Sequence, residues 1–130
     1  ETIDYLKQNN YLIAVASSSY REKIEFYLDS ISLKDKFDYI IGGDEVEKSK
    51  PNPEIFLKGV KGLGVKKEET LVLEDSAHGI LAADKAGIRV ILIPDLVEEH
   101  PPEIEKLVYK KLDNLSELIV ELEKQKKDSE

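Results

Sequence analysis

Four short stretches, Leu12–Ala16, Tyr39–Ile41, Leu71–Leu73 and Val90–Ile93, are apolar at nearly every position. A strand with one wet face alternates polar and apolar residues. A strand covered on both faces reads as a continuous apolar run. Segments with helical spacing lie between these stretches, and parallel neighbours need a crossover whose usual form is a helix. The chain is therefore expected to be an α/β protein with a doubly wound parallel sheet.

Local signals place the helices. Thr2–Asn9 reads as the end of a helix leading into the first strand. Ser19 and Glu22 have capping-box spacing and predict a helix start there, with Ile24, Tyr27 and Leu28 inward. Asn52 and Pro53 read as N-cap and first residue of a helix carrying Ile55, Phe56, Val60 and Leu63, closed by Gly62 and Gly64. Ser76 predicts a cap for a helix running to Ala86, with Gly87 at its stop and Ile80, Leu81 and Ala83 on its packing face. Pro101-Pro102 marks a loop or a helix start. Asn114 with Glu117 opens a last helix with Leu115, Leu118, Ile119 and Leu122 on one side. Residues 124–130 hold no apolar anchor and predict a frayed, charged tail after a single domain over 1–123.

Composition narrows the function classes. The 130 residues suffice for one domain. A net charge of −8 argues against a general binder of nucleic-acid backbones, whose affinity comes from clustered Lys and Arg. It still permits a small phosphorylated ligand at a locally positive site. The chain has no Cys, which excludes disulfides and thiolate metal sites. No apolar run reaches membrane-span length and no signal-peptide pattern opens the chain, so the expectation is a cytoplasmic protein without membrane contact. The chain opens on Glu1 and contains no Met, which predicts residues upstream of it.

The chemistry gathers at three points. Leu73-Glu74-Asp75-Ser76-Ala77-His78-Gly79 places two adjacent carboxylates where an apolar strand ends and a helix begins. Ligands of parallel sheets bind beyond the carboxyl ends of strands. Two carboxylates there suit a hard cation such as Mg2+; the plainer alternative is an acidic pair that only caps the helix. Ser17-Ser18-Ser19 follows the first strand and could cradle a phosphate with hydroxyl and N–H groups, or simply form a turn. Lys50 precedes Pro51, which holds it extended and aims its cation; the alternative is an ordinary surface lysine. His78 and His100 receive no role. Asp44, Glu45 and Glu47 form an acidic loop, solvated or bordering the site.

Taken in order, these segments resemble the haloacid dehalogenase superfamily, in particular the β-phosphoglucomutase-like phosphatases and mutases. Ala14-Val15-Ala16-Ser17-Ser18-Ser19 is similar to that family's second motif. Lys50-Pro51-Asn52-Pro53-Glu54-Ile55-Phe56 is similar to its lysine motif. Leu73–Ile80 with Ala86-Gly87 is similar to its fourth. The likeness runs from near residue 2 to about Asp95. It implies that Ser17 and Ser18 bind the transferring phosphoryl group, that Ser17 and Lys50 serve catalysis, and that Glu74 and Asp75 hold Mg2+. Ser19, Tyr20 and Arg21 would lie where mutases contact a second phosphate, although Tyr20 and Arg21 depart from the commonest residues there.

The family's nucleophile and general acid–base are aspartates spaced Asp-x-Asp on an N-terminal strand, and this sequence contains no Asp-x-Asp. The helical cap that selects substrate is absent as well. The resemblance thus implies the C-terminal part of a core domain, inactive alone, from a Mg2+-dependent phosphatase or phosphomutase acting on a small, sugar-phosphate-like monoester. The missing strand would lie between Leu12–Ala16 and Leu71–Leu73, supplied by the protein's own N-terminal part; the alternatives are direct pairing of those two strands or a swapped dimer. For function, the alternatives are a non-catalytic module of the same fold that binds a phosphorylated ligand or a protein partner, and, less well matched, a receiver-type signalling domain. The last needs acidic residues where Ser17 and Ser18 stand.

Overall fold

The computed structural model describes residues 2–93 and 100–128. The chain is α/β with parallel strands, as the apolar runs predict. β1 (Ala14–Ala16) pairs in parallel with β2 (Tyr39–Ile41), Val15 opposite Ile40. β3 (Leu71–Glu74), β4 (Arg89–Leu92) and β5 (Lys110–Lys111) form a second parallel sheet in that order, with Val72 opposite Val90. The helices are α1 (Thr2–Gln8), α2 (Arg21–Ser30), α3 (Glu54–Leu63), α4 (Ala77–Ala86), α5 (Pro102–Glu105) and α6 (Glu117–Asp128).

Strand alternation distributes the core over both faces. Val90 and Leu92 point to a cluster with Ile55 and Phe56 of α3 and Ile80 and Ala83 of α4. Ile91, between them, points the other way, to Leu118 and Leu122 of α6, with Tyr5 and Leu6 of α1 packed alongside. In the same manner Ile41 faces α3 while Ile40 joins Ile24 and Leu28 of α2. Both faces are therefore covered, which is why the strands read as unbroken apolar runs.

Among the described residues no ladder joins β1 to β3. A cavity of about 650 Å³ lies there instead, with Leu12, Ala14 and Ala16 on one side and Leu71, Val72 and Leu73 on the other. Phe56 and Val60 of α3 and Leu118 and Leu122 of α6 complete its walls. Leu12 and Leu73, 49% and 38% exposed, owe that exposure to this opening.

Several local expectations shift. β1 starts at Ala14 and not Leu12, because the Ile13 N–H donates to the Asp38 carboxylate at 2.8 Å. Ser19 does not cap α2. Tyr20 is the boundary residue, and the Arg21 N–H is taken from across the chain by Asp44 Oδ1 at 2.9 Å. Tyr27 is 62% exposed, because only the Ile24–Leu28 side of α2 meets β2. Asn52 is not the boundary residue of α3: Pro53 takes that place and the helix starts at Glu54, while Asn52 Oδ1, one residue further out, accepts from the Glu54 N–H. Leu115 is exposed because α6 begins two residues after it. Ser76 and Gly87 bound α4 as predicted, with the Gly79 N–H donating to Ser76 Oγ at 3.0 Å and Gly87 at φ +76°. Of α4, Ala82 is fully buried and Leu81 only half so.

β5 has no forerunner in the sequence reading. It is two lysines long and is held by backbone pairing to β4 and by a Lys110–Glu121 ion pair at 2.8 Å. The last helix runs through Asp128, across most of the stretch expected to fray. Ser129, Glu130 and Asp95, the far end of the resemblance, lie outside the described residues.

Candidate active site

The carboxyl ends of β1 and β3 flank the mouth of the cavity, and the singled-out residues collect there. Ser17 follows β1 directly. Its N–H donates to the Ile41 carbonyl of β2, and its Oγ accepts from the Ser19 N–H at 3.1 Å. The hydroxyl is thus oriented by its own turn, while Ser18 and Ser19 are exposed beside it. Gly42 and Gly43 back this turn. The Gly43 N–H donates to the Ser19 carbonyl at 2.7 Å, and a Cβ at residue 43 would stand 2.2 Å from the Ser18 carbonyl oxygen. Only glycine permits that approach.

Asp44 and Glu45, in an acidic loop expected to be solvated or to border the site, are structural braces for the same turn. Asp44 caps α2, and Glu45 accepts from the Gly42 N–H at 2.7 Å and pairs with Arg21 at 3.1 Å. Arg21 also binds Glu25 at 2.9 Å, so its guanidinium rests between two carboxylates. These neighbours raise Arg21 further above its ordinary value, Glu25 contributing most.

Lys50 reaches across the cavity mouth. Its ammonium lies 3.0 Å from Glu74 Oε2, 3.4 Å from the Ala16 carbonyl oxygen and 5.0 Å from the centre of the Phe56 ring. It therefore links the end of β1, beside Ser17, to the end of β3. The peptide bond from Lys50 to Pro51 is cis.

Glu74 is largely buried. Its Oε1 accepts from the Asp75 N–H and from the N–H and Oγ–H of Ser76. Burial pushes this carboxyl upward; the Lys50 charge and these hydrogen bonds outweigh burial and hold it below the usual glutamate value. The side chain lies against the first turn of α4, where a Cβ on Gly79 would fall 2.0 Å from Glu74 Cδ. Asp75, next in sequence, is exposed at the same edge.

His100, without a role suggested by the sequence, has a backbone partner. The structure sets its Nε2 at 2.6 Å from the Asp75 carbonyl oxygen. A carbonyl can only accept, so Nε2 carries the proton. His78 is an exposed residue in the first turn of α4, as expected.

The structure thus brings Ser17, Lys50, Glu74 and Asp75 to one edge. Ser18 and Ser19 border it, and Arg21 is engaged on α2. The family described as haloacid dehalogenase-like hydrolase matches residues 1–93. The chain belongs to that family. It is 36% identical over 93 residues to pyrophosphatase PpaX of Halalkalibacterium halodurans, covering 72% of this chain and 43% of that protein. It is 31% identical over 118 residues to hexitol phosphatase B of Escherichia coli K12, covering 91% of this chain and 53% of that protein. In three dimensions it superposes on β-phosphoglucomutase of Clostridium difficile with a TM-score of 0.80 and 27% identity, covering 98% of this chain and 54% of the other. The chain spans about half the length of these relatives.

Proposed function

We propose that this haloacid dehalogenase-like chain forms the phosphate- and metal-binding part of a Mg2+-dependent phosphatase or phosphomutase acting on a small, sugar-phosphate-like monoester. The observation that carries the reading is the Lys50 ammonium, held between the Ala16 carbonyl and Glu74 at the mouth of an open sheet. An ammonium has three N–H donors. Two are directed at Ala16 and Glu74, and the third is available to a phosphoryl oxygen. There the cation offsets charge that develops during transfer. The Ser17 Oγ accepts from the Ser19 N–H and keeps its own hydrogen to donate to the same phosphoryl group, with Ser18 beside it. Arg21 and Ser19 stand as contacts for a distal phosphate, Arg21 through N–H donors beyond those shared with Glu25 and Glu45.

Glu74 and Asp75 would hold the Mg2+. The donor set fits: both are carboxylates, and Mg2+ commonly takes one or two of these and completes its shell with water and substrate phosphate. Among the described residues no group of three or more His, Cys, Asp or Glu forms a fuller cage. When bound, the ion supplies neutralisation of phosphoryl-oxygen charge.

The nucleophile in this reading is an aspartate outside these residues, phosphorylated and then relieved of the phosphoryl group by water or a sugar hydroxyl. It arrives on a strand of the protein's own N-terminal part that enters the cavity between β1 and β3. Bare apolar edges on both sides of that cavity support a strand as its occupant.

The test is turnover of p-nitrophenyl phosphate and a panel of sugar phosphates by the whole protein, with and without Mg2+. Turnover lost in EDTA and restored by Mg2+ is expected. Retained phosphate binding with no turnover of any monoester would overturn the catalytic reading in favour of a ligand-binding module.

A further inference from the structure

Lys50 sits in a stretch without regular structure, between Val46 and the start of α3. Loops of this kind are ordinarily more mobile than the elements they join. A catalytic cation must nevertheless be held within about 0.5 Å of its working position. The C-terminal side of the loop is secured at the helix start: the Asn52 N–H donates to the Ser49 carbonyl, and Asn52 Oδ1 accepts from Glu54.

The N-terminal side is secured by Glu54. Its carboxylate receives the Glu47 N–H at 3.0 and 3.1 Å and the Lys48 N–H at 3.0 Å. Lys58, one turn along α3, holds the same carboxylate at 3.2 Å. Hydrogen bonds from backbone N–H groups to an ionised carboxylate are among the stronger kinds. The Glu47 and Lys48 bonds, chiefly, hold the Glu54 carboxyl below its ordinary value.

We infer that Glu54 is a positioning residue for Lys50: it clamps the backbone two and three residues upstream to the rigid start of α3 and so fixes the path along which the ammonium reaches Ala16 and Glu74. The inference rests on the role proposed for Lys50. A plainer function for Glu54 exists, since a carboxylate in the first turn of any helix favours the helix dipole. The experiment separates the two.

In the whole protein, kcat and KM for p-nitrophenyl phosphate are measured for E54A, E54Q, K50A and the double variant K50A/E54A, with thermal unfolding of each. The expected result is a roughly 100-fold fall in kcat for E54A, the cost of a misplaced catalytic group. The same change made in K50A should then have little further effect, because residues acting as a unit are not additive. E54Q, which keeps an oxygen acceptor, should fall between E54A and the unaltered protein; it serves as the test variant if E54A does not fold. Losses that multiply in the double variant would overturn the inference, since a helix-stability effect is independent of Lys50. So would an unchanged kcat in E54A beside an impaired K50A. A fully active K50A would instead sink the reading of Lys50 itself, and this role for Glu54 with it.

Discussion

The Lys50 ammonium and Glu74 Oε2, 3.0 Å apart, form an ion pair across the mouth of a cavity separating two sheets that share no ladder among the described residues. Both side chains are close to nine-tenths buried, at 12% and 11% exposed. In water such a pair is worth little; at this depth, losing one member leaves an uncompensated charge.

Removing the cation by Lys50→Met should destabilise the protein by about 3 kcal/mol at neutral pH, the lower end for breaking a buried pair. The pH dependence has a definite sign. Glu74 is held below its ordinary value of 4.5, so its contribution is complete above that pH and is lost as pH falls toward the depressed value. Without Lys50, burial raises the carboxyl and it takes up a proton readily, so the penalty should shrink near pH 4. Urea denaturation of both proteins at pH 7 and pH 4 checks this, and an equal gap at the two pH values would count against it.

Gly79→Ala should disturb the same carboxylate from the other side. The added methyl would stand 2.0 Å from Glu74 Cδ, at a contact where something must move. Overpacking of this kind costs about 1–3 kcal/mol, although alanine is the better helix former. Denaturant melts read the stability, and Mn2+ titration of the whole protein reads the expected loss of metal affinity. A Gly79→Ala protein more stable than the original would show that Glu74 is not pressed against α4.

Asp75→Asn keeps the size of the side chain and removes its charge. If Asp75 helps hold Mg2+, metal affinity and turnover should fall together in the whole protein. The fall in turnover should be at least about 100-fold, as expected when several kcal/mol of charge stabilisation are lost. Calorimetric titration with Mg2+ alongside steady-state kinetics tests the link; unchanged Mg2+-dependent turnover would remove the assignment.

The two bare strand edges carry a prediction about behaviour in solution. Residues 1–130 expressed alone should self-associate or precipitate, because open apolar edges recruit other chains. Size-exclusion chromatography with light scattering measures this directly. A compact, monodisperse monomer would mean that the cavity between β1 and β3 closes without a strand from elsewhere.

Much of the site was legible because its parts are local. Ser76 and Gly87 announce α4 by chemistry confined to a single turn at each end. Pro51 and Pro53 mark the loop that presents Lys50. Misreadings arose where a distant residue outbid a near one. Ser19 and Glu22 have the right spacing for a capping box, yet Asp44, 23 residues from Arg21, takes the N–H. Glu54 passed as an ordinary member of the lysine motif, and the only hint of its clamp was a carboxylate at a helix start beside a loop. His100 offered no signal, since its partner is a backbone carbonyl 25 residues away.

The sequence by itself determined the class of fold and the order of its chemistry. Burial on both faces demands unbroken apolar strands, and crossovers between parallel strands demand the helices between them. The absent Asp-x-Asp strand already implied a gap between β1 and β3, and tertiary structure gave that gap, among the described residues, its walls and its volume. Tertiary structure alone decided that Lys50 meets Glu74, 24 residues on, across that gap, and that Arg21 is shared by Glu25 and Glu45. Periodicity and capping act over one or two turns of chain and leave a pattern in the sequence. A contact between segments far apart in the chain depends on how whole elements pack, and it leaves none.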